Sequence, residues 1–368
     1  MSVVIAIGTA VPPHKHSQVH LAQYMGDMYN LEEEEMRKLK LLYAKSAIDT
    51  RYSVLEEFSN QNNKTPFFAN HRFPKLNPSI DLRLEKYFQY AAPLAVSAIK
   101  NCFTNDVAVG DVTHLITVSC TGMSAPGLDI ELVHLLELSK STKRSSVNFM
   151  GCYAAIQAMQ QADYICRADA DAKVLVVCVE LCTLHFQNEN TMDNWVANSL
   201  FADGAAAVLV VSDEFANSKN ISGFRIEKFY TQIVADGHKD MAWQISSQGF
   251  LMTLSAYIPQ LIAQNLSLFL TNTLDGLNIE KEQICNWAIH PGGRKILDAV
   301  IANLGLEPTD LQASYETLKN YGNMSSPTVL FVLKQILLKQ NEFTKGQHTF
   351  AVAFGPGLVM ESVLLKYV

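Results

Sequence analysis

Apolar and polar positions along the chain switch repeatedly between the period of a strand and the period of a helix. The opening run Met1-Ser-Val-Val-Ile-Ala-Ile-Gly8 is short and apolar and ends in Gly8-Thr-Ala-Val-Pro-Pro13, which predicts a strand closed by a turn. A helix is predicted over 31–47, because Glu32 to Glu35 come first and Arg37, Lys38, Lys40 and Lys45 later, the order that complements a helix dipole. Residues 56–77, rich in Asn, Pro and Lys, predict a loop, and 84–102 a helix. Further on, 113–120 predicts a strand, helical spacing runs to about 138, a helix starts at Gly151-Cys152, and 173–180 and 204–211 read as buried strands. The second half repeats the plan: strand 224–234, helix 254–270, strand 285–290, helices 295–304 and 326–338, strand 348–354, the turn Gly355-Pro-Gly357 and a last strand 358–365. Such alternation predicts α/β layering. Each half closes with a helix, an apolar strand, a glycine turn and a final strand. Overlaying them puts Cys152 and the segment 323–325 at equivalent helix starts, which predicts an internal duplication packed as one body.

Composition narrows the class. With 368 residues, 48% apolar and 18% charged, the chain is an ordinary globular protein with a substantial core. A net charge of −7 argues against a general nucleic-acid binder. The seven cysteines are odd in number and irregularly spaced, with no C-x-x-C pair, so free thiols in a reducing compartment are expected rather than a zinc ribbon or a disulfide framework. The first residues lack the basic segment of a signal peptide, and no run reaches the ~20 apolar residues of a membrane span. A cytoplasmic protein is the expectation.

Three residues are candidates for chemistry. Cys152 follows Gly151 at a helix start, where unpaired N–H groups and the dipole favour a thiolate and can hold an oxyanion; a buried structural cysteine is the alternative. His290 ends an apolar strand before Pro291-Gly-Gly293, a place where α/β enzymes set polar groups at a crevice; a surface loop histidine is the alternative. Asn323 lies in the polar break Asn320-Tyr-Gly-Asn-Met-Ser-Ser326, where it could equally take a left-handed turn while Ser325 or Ser326 caps the next helix. Thiol, imidazole and carboxamide together form a set used in acyl chemistry.

These motifs carry a resemblance. Asn148-Phe-Met-Gly-Cys-Tyr-Ala-Ala155, Leu200-Phe-Ala-Asp-Gly-Ala-Ala-Ala207, Ala288-Ile-His-Pro-Gly-Gly293, Tyr321-Gly-Asn-Met-Ser-Ser326 and Phe354-Gly-Pro-Gly357, in that order, resemble the motifs of type III polyketide synthases, the chalcone synthase-like branch of the thiolase superfamily. The resemblance implies a five-layered αβαβα fold with an internal duplication. It places a cysteine-bearing half at 1–212 and a half with His290 and Asn323 at 213–368. It also implies a homodimer. Cys152 would carry the acyl group, while His290 and Asn323 would bind the malonyl thioester carbonyl and His290 would keep the sulfur as thiolate. Phe201 matches one gatekeeper and Met252 falls at the second, with Lys45 and more weakly Lys38 at the CoA tunnel mouth. Substrates would be acyl-CoA and malonyl-CoA, with no cofactor.

Departures bear on the product. Ala353 stands where the family usually has glycine before Gly355, Pro356 and Gly357. His185 occupies a cavity-wall position that is threonine in plant enzymes, and Cys120-Thr121-Gly122, like Ser325 expected in the pocket, is closer to the bacterial branch. The expectation is a fatty acyl starter and an alkylpyrone or resorcinol-type product. Two other activities share the cysteine chemistry: a ketoacyl synthase of the fatty-acid type, working once on a carrier protein, and a cysteine-dependent thioester hydrolase.

Overall fold

Strands of the two halves meet edge to edge in this computed structural model, which describes residues 1–58, 66–68, 78–237, 240–255, 257–339 and 345–368. The strands are β1 (Ser2–Ala10), β2 (His14–Ser17), β3 (Thr50–Ser53), β4 (His114–Ser119), β5 (Lys143–Asn148), β6 (Lys173–Leu181), β7 (Asp203–Ser212), β8 (Phe224–Ile233), β9 (Met241–Ser246), β10 (Gly249–Leu254), β11 (Ile284–Ile289), β12 (His348–Gly355) and β13 (Val359–Tyr367). The helices are α1 (Gln18–Tyr29), α2 (Glu33–Ala44), α3 (Ile80–Lys100), α4 (Leu128–Leu135), α5 (Ala154–Ala168), α6 (Met192–Leu200), α7 (Asp213–Lys219), α8 (Ile258–Leu274), α9 (Arg294–Leu304), α10 (Gln312–Tyr321) and α11 (Pro327–Leu338). The expected loop over 56–77 lies mostly outside the described residues.

Nine strands form one sheet in the order β11-β12-β13-β8-β1-β7-β6-β4-β5. In the first half, β1 to β7 and β7 to β6 are antiparallel, and β6 to β4 is parallel. In the second, β8 to β13 and β13 to β12 are antiparallel, and β12 to β11 is parallel. The same senses in the same order are the duplication written in hydrogen bonds. The halves join through the short antiparallel contact of Val3 and Val4 with Arg225 and Phe224.

Period-two alternation builds the layers. On β6, Leu175, Val177 and Val179 face one apolar core with α3, while Val174, Val176 and Cys178 face another. On β12, Phe350, Val352 and Phe354 face a third core with α8 and α9, while Ala351 and Ala353 turn to the second. That second core holds α5 and α11 between the two half-sheets. Three helical layers and two sheet layers give the αβαβα arrangement. Small residues make the middle layer thin enough: Ala154, Ala155, Ala158 and Ala162 of α5 are all fully buried.

Several elements differ from the sequence reading. The helix placed at 254–270 begins at Ile258, and the residues before it form the β9–β10 hairpin. Edge strand β5 escaped detection because Lys143 to Ser146 are exposed polar residues with no apolar face. Helices α1, α6, α7 and α10 were also not anticipated. Ser326 is the N-cap residue of α11, as anticipated, but its side chain makes no capping hydrogen bond, its Oγ donating to Glu180 instead; and Ser325, not Asn323, takes the left-handed conformation at φ 59°. Among the described residues, no helix is long and apolar enough to cross a membrane.

Candidate active site

Two loops, one from each half, bring the site together. Before α5 the chain makes a 3-10 turn over Gly151–Tyr153, preceded by Phe149 at φ 57° and with Gly151 at φ 79°. A Cβ on Gly151 would lie 2.3 Å from Pro356 Cδ, so only glycine lets the Cys152 turn sit against the Gly355-Pro-Gly357 turn. Before α11 the chain bends through Gly322 and Ser325, which presents Asn323 to the same space. His290 follows β11, its backbone N–H donating to the Val352 carbonyl at 2.8 Å.

The Cys152 thiol lies 3.6 Å from Ser325 Oγ and 4.0 Å from Asn323 Oδ1. The Asn323 carboxamide is oriented twice: Oδ1 accepts from Ser325 N–H at 2.8 Å, and Nδ2 donates to the Gly292 carbonyl at 3.3 Å, on the turn just after His290. Both ring nitrogens of His290 are buried without a partner among the described residues. An unsatisfied buried imidazole is costly unless something binds it, and this one faces a cavity of about 520 Å³ that Cys152 and Asn323 also line.

Burial dominates the electrostatics of the pair. Burial, with a smaller push from the Glu180 charge, lifts the Cys152 thiol to about 12, against its hydrogen bonds with Ser325 and Asn323, which pull it down. Burial also lowers His290 to about 3. Burial disfavours the charged form of each group, and the α-helix whose start would favour a thiolate begins only at Ala154.

The cavity gathers most of the residues anticipated for it. Phe201, Met252, Cys120, Thr121, Ser325 and Pro356 line it, with Lys38 and Lys45 at its mouth on and after α2. Lys38 also pairs with Glu34 at 2.7 Å on the surface. Gly355 and Gly357 do not line it; they shape the turn behind Cys152, and a Cβ on Gly355 would meet Tyr153 at 2.6 Å. His185 is a correction. It is buried behind the wall, stacked on Phe250 at 4.2 Å, its Nε2 donating to the Thr121 carbonyl at 2.7 Å and its Nδ1 accepting from Phe250 N–H at 3.2 Å. With both nitrogens used, it braces the wall and offers nothing to a ligand.

Other residues were missed. Trp243 faces the anticipated Met252 across the β9–β10 hairpin and lines the cavity beside it, the indole N–H donating to the Cys120 carbonyl at 2.8 Å. Glu180 is fully buried in β6; Cys120 N–H and Thr121 Oγ1 each donate to it at 2.9 Å and Ser326 Oγ at 2.8 Å. It ties the cysteine-bearing half to the asparagine loop. A carboxylate within the apolar run Val177-Cys-Val-Glu-Leu181 was the available signal.

Comparison with known proteins decides the family. Residues 1–214 match the N-terminal domain of chalcone and stilbene synthases, and residues 226–368 match their C-terminal domain. The chain belongs to the chalcone and stilbene synthases. This family is that of the type III polyketide synthases, and solved members share the fold. The chain is 28% identical to the PKS-I of the brown alga Ectocarpus siliculosus, with a TM-score of 0.92 over 100% of this chain and 98% of that one. It is 28% identical to the C-terminal type III polyketide synthase domain of Steely1, a Dictyostelium type I/III hybrid, with a TM-score of 0.88 over 100% and 99% of the two chains. A curated relative, the probable polyketide synthase 1 of Dictyostelium discoideum, is 29% identical over 378 residues; the match takes in all of this chain and 11% of that protein. This type III chain thus spans about 11% of the length of that relative.

Proposed function

We propose that the protein loads an acyl group from acyl-CoA onto Cys152 and extends it by decarboxylative condensation with malonyl-CoA. The observation that carries this is the meeting of a buried thiol, an unpartnered imidazole and an oriented carboxamide on one apolar cavity. In loading, the Cys152 proton passes to His290, the sulfur forms a bond to the thioester carbonyl, and the CoA thiolate leaves and takes the proton back. In extension, the malonyl carbon–carbon bond breaks, CO2 departs, and the electron pair moves to the thioester carbonyl as an enolate. His290 and Asn323 donate to that oxygen; such a donor is typically worth ~3 kcal/mol. The enolate carbon then bonds to the acyl carbon, and the Cys152 sulfur leaves.

Phe201 and Met252 act as gates between mouth and sulfur, and Lys45, with Lys38, meets CoA phosphates. The apolar wall built by Trp243, Met252 and Trp195 favours a fatty acyl starter and a pyrone or resorcinol-type product. The reaction as written needs CoA thioesters and no further cofactor. It suits a reducing cytoplasm, where six buried cysteines stay unpaired. A homodimer is part of this reading: β5 is an edge strand, and Phe88 and Met123 are exposed on the shallow hollow beside it, a surface suited to a second copy.

The test is incubation of purified protein with a panel of acyl-CoA starters and malonyl-CoA, with products read by mass spectrometry. Products extended more than once from CoA substrates are expected. Single extension only from a carrier protein, or free acid with malonyl-CoA intact, would overturn the proposal.

A further inference from the structure

Behind the gate lies a cation that the reaction as written does not use. β3 carries Arg51 into the interior, where it is 2% exposed and among the largest fully buried side chains. A buried ion costs several kcal/mol unless it is well hydrogen-bonded, so its partners are informative. Its Nε donates to Gln18 Oε1 at 2.9 Å, and its Nη1 donates to the Phe201 carbonyl. The guanidinium carbon lies 5.8 Å from the Tyr43 ring centre and 5.9 Å from that of Phe186. The side chain does not line the cavity.

Its stem touches the other loop. A Cβ on Gly322 would lie 2.8 Å from Arg51 Cγ and Cδ, so glycine, at φ 69°, is what lets the chain cross over the arginine just before Asn323. Phe201 and Asn323 are themselves joined. The Asn323 N–H donates to the Leu200 carbonyl and the Ala202 N–H donates to the Asn323 carbonyl, both at 2.9 Å. Gln18 extends the strap: its Nε2 donates to the Ser199 carbonyl at 2.8 Å and to Ser46 Oγ at 3.0 Å, next to Lys45 at the mouth.

Resting on the synthase reading above, we propose that Arg51 is a positioning residue, its guanidinium fixing the Phe201 carbonyl and its stem supporting the Gly322–Asn323 turn, so that gate and carboxamide keep one register. The physical ground is that the strap acts on both groups at once. A shift of Asn323 removes a donor from the enolate oxygen, and a shift of Phe201 changes how much chain the cavity admits. Loading depends on neither to the same degree, because the sulfur sits on the opposite loop, before α5.

The test uses the full chain with Arg51→Met and Arg51→Lys. Intact mass gives the fraction of Cys152 loaded from acyl-CoA, and malonyl-CoA consumption and product lengths are then read per loaded site. The loaded fraction should stay near wild type while turnover per loaded site in Arg51→Met falls about 100-fold, the cost of a displaced catalytic group. The KM for malonyl-CoA should barely move, product lengths should shift, and Arg51→Lys, which can reach one of the two acceptors, should recover part of the loss. Lower thermal stability with unchanged turnover per loaded site and unchanged product lengths would mean a purely structural arginine and would overturn the proposal. Should Arg51→Met not fold, Gly322→Ala presses on the same stem and Gln18→Leu removes the Nε acceptor. Both should show the turnover loss, and wild-type turnover in both would overturn it equally. Wild-type protein that loads acyl groups yet makes no extended product would instead defeat the synthase reading.

Discussion

At the scale of single residues, the proposed mechanism gives Cys152 and Asn323 separable duties. Cys152→Ala should abolish acyl loading yet leave malonyl-CoA decarboxylation measurable, since His290 and Asn323 remain to hold the enolate. Asn323→Ala should load starter and lose decarboxylation by roughly 100- to 1,000-fold, the usual loss for one oxyanion donor. Equal loading by both variants, followed by intact mass, would show the roles to be misassigned. Glu180 makes a different prediction. Burial lifts its carboxyl from 4.5 to about 7. The folded state therefore keeps a proton that the unfolded chain releases, and stability falls as pH rises from the unfolded value through about 7. Asp203, lifted to about 6, acts in the same direction. Glu180→Gln should therefore melt with a shallower decline between about pH 5 and 8 than wild type; parallel melting curves would contradict this. Cys152, His290 and Asn323 were legible because each sits at a break in an apolar pattern. His185 was misread because sequence gives position along a chain and not which side of a wall a ring occupies.

At the scale of elements, the turn that carries Cys152 is tightly constrained. Gly151→Ala meets Pro356 and forces a β-carbon into a left-handed backbone, a strain of about 1–3 kcal/mol. Loading should slow sharply with the fold retained, as loading kinetics and a melting curve would show; wild-type loading would mean the turn tolerates what its geometry forbids. The β9–β10 hairpin sets the opposite wall. Met252→Phe should stiffen and narrow it, shifting products toward shorter starters or fewer extensions, and an unchanged product mixture would remove Met252 from the gate. That hairpin was invisible in the sequence for a physical reason: among the described residues its strands pair only with each other, and exposed polar residues such as Thr253 and Gln244 interrupt its apolar signal. The central strands β6 and β7, buried on both faces, announced themselves as continuous Val, Leu and Ala runs.

At the scale of the whole molecule, the duplication explains why one site needs both halves. Equivalent loops before α5 and α11 converge on one cavity, and Cys120 and His290, the residues just after β4 and β11, also reach it. This plan was readable from the repeated order of helix, strand and glycine turn. The starter and the product were not, because cavity shape arises from residues distant in sequence, Trp195, Trp243 and Ile258 among them. The dimer predicted from the β5 edge should appear as twice the 40.9 kDa chain mass by light scattering, and a monomer that is fully active would exclude it from the mechanism.

The central claim is that one sulfur carries the growing chain. Intact mass and peptide mapping after brief exposure to an acyl-CoA test it most directly. The account predicts one acyl adduct, on the peptide containing Cys152, that disappears when malonyl-CoA is added. An adduct on Cys120 or Cys182 instead, or one that malonyl-CoA leaves in place, would contradict it.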